Sequence, residues 1–129
     1  MTDLPAPRVL VVEDEALIAL MMQAMLSDLG CTVVAMAHTP SEALSLIRKG
    51  AQPIDLATLD LNLGGESAQG VAAELALRGI PFIVVTGYGE ARVLAPFDTR
   101  PILIKPFLEQ DLATALDALG LVKGSRATG

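Results

Sequence analysis

The chain has 129 residues, the length of one domain, and at 52% hydrophobic and 19% charged it is too apolar to be a disordered protein. Nine basic residues against fifteen acidic ones leave a net charge of −6, the wrong sign for holding a nucleic-acid backbone. A lone Cys31 excludes an internal disulfide, a lone His38 excludes a His/Cys metal site, and with no apolar span or leader-like start in view a cytoplasmic domain without membrane contact is expected.

Residues 1–7 read as an N-terminal segment, 8–120 as the domain and 121–129 as a polar tail. Val9-Leu10-Val11-Val12 is the first expected strand and runs into Glu13-Asp14-Glu15. A helix over 16–29 follows, with Leu17, Ile18, Met21, Met25 and Leu29 on the stripe expected to face the core. Its first turns, residues 16–22, are apolar all round, so the surplus is free to meet a partner helix or a second copy of the chain, a possible homodimer. Val33 to Met36 form the second strand, which leads to His38, expected in an exposed turn away from the acids. Thr39 is placed to cap the next helix, with Pro40 at its first position and Glu42 completing a capping box.

Leu56 to Leu59 make the third strand, which ends in Asp60. A helix over about 70–78 follows, and Phe82 to Val85 make a fourth strand that ends in Thr86-Gly87-Tyr88. Residues 87–100 include Gly87, Gly89 and Pro96, so a fourth helix there is short or mobile. Ile102 to Ile104 form the fifth strand, which ends in Lys105-Pro106, and Leu108, Leu112, Leu116 and Leu119 stripe the last helix. Gly30, Gly50, Gly79 and Gly120 each follow a helical pattern, where a left-handed cap is needed.

Strands this continuously apolar are buried on both faces, as in a parallel sheet. Alternation with helices implies right-handed crossovers and a doubly wound α/β fold. In such folds ligands bind beyond the carboxyl ends of the strands. There the acids at 13–15, Asp60, the Thr86 hydroxyl and the Lys105 ammonium would share one rim. An acid after a strand is ordinarily a turn former or helix cap; the concurrence at four strand ends is the signal. Clustered carboxylates repel one another, and a hard cation relieves the repulsion. Oxygen-only ligands favour Mg2+. A carboxylate beside that ion can attack phosphorus, with cations and donors stabilising the developing charge.

The segments VLVVEDEALI, TLDLNLGG, VVTGYGE and ILIKPF, in that order, resemble the receiver domain of response regulators, the CheY-like family of two-component signalling. The likeness covers residues 8–120. It implies a flavodoxin-like, doubly wound five-stranded parallel sheet in the order 2-1-3-4-5 with five helices. It implies that Asp60 accepts a phosphoryl group from a histidine kinase or phosphotransfer protein, and that Glu13, Asp14, Asp60 and Asn62 hold the metal, Asn62 through its backbone carbonyl. Thr86 and Lys105 match the switch hydroxyl and the lysine of the family, and Lys105-Pro106 matches a cis bond. Beyond self-catalysed transfer to and hydrolysis from its own aspartate, no enzyme activity is implied.

Pro81 to Tyr88 also partly resemble the PFxFATGY signature of an alphaproteobacterial subgroup of stand-alone receivers paired with HWE-type kinases; Val84 and Val85 replace Phe and Ala. One departure bears on mechanism. Ile102 stands where most receivers carry a swinging aromatic, so the switch is expected to run through Thr86, with Tyr88 either its moving side chain or a plain surface tyrosine. With no further domain in view, the signal is expected to leave by contact with a downstream protein, as a shuttle, a phosphate sink or a regulator. Two rivals are weaker. A haloacid-dehalogenase-type phosphatase needs a second acid where Asn62 stands, and a dinucleotide loop lacks its third glycine because Arg92 holds that place. A docking module that is never phosphorylated remains the non-catalytic alternative.

Overall fold

A computed structural model describes residues 5–87 and 100–120. β1 (Arg8–Val12), α1 (Ala16–Asp28), β2 (Thr32–Ala37), α2 (Pro40–Lys49) and β3 (Leu56–Asp60) come first. β4 (Asn62–Leu63), β5 (Glu66–Ser67), α3 (Gln69–Leu77), β6 (Phe82–Thr86), β7 (Ile102–Ile104) and α4 (Glu109–Ala118) follow. Five strands form one parallel sheet in the order β2-β1-β3-β6-β7, the expected order of the five long strands. The described residues hold four helices; the expected short helix between β6 and β7 falls on residues 88–99, outside them.

β3 and β6 are buried at every position, as a central parallel strand covered on both faces requires. Their side chains alternate between two cores. Leu10, Val12, Ala57, Leu59, Phe82 and Val84 pack with Ala43, Ile47, Val71 and Leu75 of α2 and α3. Val9, Val11, Ile83, Val85 and Leu103 pack with Ala19, Met22, Leu26, Leu112 and Leu116 of α1 and α4. Asp55 takes hydrogen bonds from the backbone N–H of Arg8 at 2.7 Å and from its Nε at 3.1 Å, tying the start of β1 to that of β3. Among the described residues no helix is long and apolar enough to cross a membrane.

Local signals act as the residue chemistry requires. Thr39 Oγ1 accepts from the Glu42 N–H at 3.1 Å, while the Glu42 carboxylate reaches past the cap to the His38 N–H at 2.7 Å. Gly50 closes α2 with φ of +62°, a value costly for any side-chain-bearing residue.

Several features differ from the reading of the sequence, among them Leu108, which is 69% exposed just before α4 rather than on its buried stripe. In α1 the buried residues are Ala19, Met22 and Leu26, while Leu17 and Met21 of the expected inward stripe are 71% and 50% exposed. The helix is apolar nearly all round, so its periodicity does not mark one face, and packing on the sheet selects the face bearing Ala19, Met22 and Leu26. Ile102 is not buried; it is 37% exposed, because β7 pairs only with β6 and its alternate residue Leu103 takes the inward position. The sequence reading also missed a two-stranded antiparallel hairpin, β4–β5, turned by Gly64 and Gly65 at φ of +64° and +89°. A Gly-Gly pair between short extended segments was the available signal.

Candidate functional site

Three parallel strands deliver their chemistry to the same edge because they end in register. β1 pairs with β3 and β3 with β6, so the residues after Val12, after Leu59 and at Val85–Thr86 lie side by side. Glu13, Asp14 and Asp60 each place a carboxylate oxygen within 4.8 Å of the other two. Glu13 and Asp60 are almost fully buried, and Asp14 is partly exposed. β7 brings the counter-charge: Lys105 Nζ lies 2.8 Å from Asp60 Oδ2, 3.3 Å from Glu13 Oε1 and 3.9 Å from Glu15 Oε1. The Lys105–Pro106 bond that follows it is cis, as expected.

Backbone donors complete the two buried carboxylates. The Asn62 N–H donates to Asp60 Oδ1 at 3.0 Å, and the Glu15 N–H donates to Glu13 Oε2 at 3.2 Å. Burial is the largest influence on Glu13. Its bond from the Glu15 N–H opposes the effect, the nearby Asp60 charge reinforces it, and the carboxyl is pushed up to about 7. Burial also works against the charge of Lys105, but the Asp60 and Glu13 carboxylates outweigh it and hold the ammonium above its ordinary value. The cluster opens onto a polar cavity of about 280 Å³ lined by Asp14, Asp60, Asn62, Gly64, Gly87 and Lys105 among others.

Thr86 stands at the rim without lining that cavity. Its side chain is buried and its hydroxyl donates to the Gly87 carbonyl at 3.1 Å, while its own carbonyl accepts from the Lys105 N–H at 2.8 Å. Asn62 lines the cavity, but its side-chain oxygen is taken by the Gly65 N–H at 2.9 Å, which braces the hairpin. Tyr88, and nearly all of the expected mobile segment 87–100, lie outside the described residues.

A family model for the response regulator receiver domain matches residues 9–117. The chain belongs to this family.

The receiver domain is similar to the phyllosphere-induced regulator PhyR of Methylorubrum extorquens, 30% identical over 114 residues that make up 86% of this chain and 42% of PhyR. It thus spans less than half the length of that curated relative. The solution structure of SdrG from Sphingomonas melonis is similar with a TM-score of 0.79 and 42% identity, over 91% of this chain and 98% of that one. The receiver domain of PhyR from Erythrobacter litoralis is similar with a TM-score of 0.76 and 27% identity, over 91% and 92% of the two chains.

The donor set of this receiver domain fits a hard divalent cation: three carboxylate oxygens converge beside a polar cavity, with only oxygen donors among them. The sequence reading missed one neighbour of the acids. His38 is an exposed turn residue, as expected, but it is not remote: its Nδ1 lies 2.9 Å from the Glu13 carbonyl oxygen. The expected strand order already sets β2 beside β1, and since Ala37 pairs with Val12 the turn after β2 falls next to Glu13.

Proposed function

We propose that this receiver domain takes a phosphoryl group on Asp60 from a histidine kinase or phosphotransfer protein, at a magnesium site formed by Glu13, Asp14, Asp60 and Asn62, and signals by contact with a downstream protein. The observation that carries the reading is the Asp60 carboxylate itself. It is buried at the end of the central strand, paired with Lys105 at 2.8 Å, beside two further carboxylates, and it opens onto a polar cavity of about 280 Å³, ample for a phosphoryl group.

In the proposed transfer an Asp60 oxygen attacks phosphorus, the P–N bond to the donor imidazole breaks, and its electron pair leaves on the ring nitrogen. Magnesium would supply positive charge to the phosphoryl oxygens and relieve repulsion among the acids. Lys105 needs little movement to follow the new charge, since its ammonium already contacts Asp60. Thr86 would exchange its bond to the Gly87 carbonyl for one to a phosphoryl oxygen, and that exchange would pull the segment bearing Tyr88. Ile102 has no hydroxyl to swing and sits half-exposed at the sheet edge, so it has no such part in the switch. An apolar groove of about 320 Å³, lined by Ile18, Met21, Met25, Pro106 and Phe107, shares Lys105 with the site, so a donor helix seated there would lie next to Asp60. An HWE-type kinase is proposed on the resemblance over Pro81 to Tyr88.

Incubation with a small phosphodonor and magnesium should add one alkali-labile phosphoryl group to the wild-type protein and none to Asp60→Asn. Equal labelling of the variant would move the site elsewhere. No labelling of the wild type by any phosphodonor or kinase would favour a docking module.

A further inference from the structure

We propose that His38 is a positioning residue that clamps the acidic loop after β1 and thereby sets how tightly the site holds magnesium. The inference rests on the metal site proposed above. Glu13 lies one residue past β1, and its N–H still donates to the Ala37 carbonyl at 2.9 Å, extending the β1–β2 ladder by one rung. Beyond that rung the chain of β2 turns away into α2. The His38 imidazole takes over, with Nδ1 2.9 Å from the Glu13 carbonyl oxygen. A carbonyl only accepts, so Nδ1 carries the proton and donates.

The clamp is itself anchored. The Glu42 carboxylate, in the first turn of α2, accepts from the His38 N–H at 2.7 Å, and the Glu42 N–H is held by Thr39 Oγ1 at 3.1 Å. On the other side of Glu13, its carboxylate meets Lys105 and the Glu15 N–H. Hydrogen bonds thus tie the start of α2 to the His38 backbone, and the His38 ring to the main-chain carbonyl of Glu13, whose buried carboxylate belongs to the proposed metal site. A ligand held on both its backbone and its side chain keeps the oxygens of Glu13 and Asp14 together before any cation arrives. Outer partners of this kind commonly govern metal affinity.

The full-length protein tests this in two ways. Imidazole nitrogen shifts of the neutral ring should show the Nδ1–H form in the metal-free protein. Calorimetric titration with magnesium at one fixed pH should show His38→Ala binding about tenfold more weakly, the size of effect that losing an outer partner of a metal ligand commonly has. His38→Asn should bind within about twofold of wild type, because its amide nitrogen occupies the place of Nδ1. His38→Gln, whose nitrogen is one bond further out, should not restore binding. A proton found on Nε2, wild-type affinity in His38→Ala, or an Asn variant as weak as the Ala variant would each overturn the clamp. If the wild type bound no magnesium, the proposed metal site would fail and take the clamp's effect with it. Normal wild-type binding beside an unaffected His38→Ala would overturn the clamp alone.

Discussion

Burial pushes the Glu13 carboxyl up to about 7, so the folded protein binds a proton there more tightly than the unfolded chain, whose carboxyl titrates near 4.5. The stability tied to that proton is fully present below about 4.5 and is lost as pH rises through about 7. Metal-free wild type should therefore lose on the order of 1–2 kcal/mol across that window, after allowance for solvent screening. Thermal unfolding at a series of pH values should show a flatter profile for Glu13→Gln. Magnesium needs the ionised carboxylate, so its affinity should rise over the same window, with proton release, and calorimetry in buffers of different ionisation heat would detect that. Cys31 behaves oppositely to a redox sensor: burial pushes its thiol up to about 11, leaving it protonated and packed.

Elements carry the next constraint, and the β4–β5 hairpin shows it best. Gly64 sits at φ of +64°, and a Cβ there would meet Asp14 Oδ2 at 3.8 Å, an ordinary contact distance. Gly64→Ala should thus lose about 1–2 kcal/mol through its left-handed backbone rather than through a clash. Denaturant unfolding checks the size of the effect. A loss of less than half a kcal/mol would mean the turn relaxes. In α2, Thr39→Ala removes the cap that also steadies Glu42, and should cost about 1 kcal/mol in the same assay. Neither turn chemistry nor capping depends on distant partners, which is why Thr39, Pro40 and the helix-closing glycines were legible in the sequence.

At the scale of the whole molecule, α1 is the element whose exposed side matters. Leu17 and Leu20 are 71% and 57% exposed and are the chain neighbours of Ile18 and Met21, which line the apolar groove that adjoins Lys105. Replacing both with serine should leave the unfolding midpoint nearly unchanged, since surface substitutions fall within about 0.5 kcal/mol each. Transfer from a cognate kinase should slow several-fold, while labelling by a small phosphodonor proceeds normally. An unaltered kinase rate would place the docking surface elsewhere.

The sequence by itself determined the strands, the burial of the central ones on both faces, and the acids, hydroxyl and lysine at their carboxyl ends. Each of these is written in a run of a few residues. Sheet order came from the family resemblance, and the register of β1, β3, β6 and β7 bears it out. Tertiary structure alone decided which face of α1 is covered, since a helix apolar all round has no face that periodicity can choose. It decided that Ile102 is half-exposed, because burial at a sheet edge depends on what pairs beyond it. It turned the Thr86 hydroxyl to Gly87 rather than into the cavity, and it brought His38 onto Glu13. The His38–Glu13 contact joins residues on separate strands and turns, and only the packed sheet sets the distance between them.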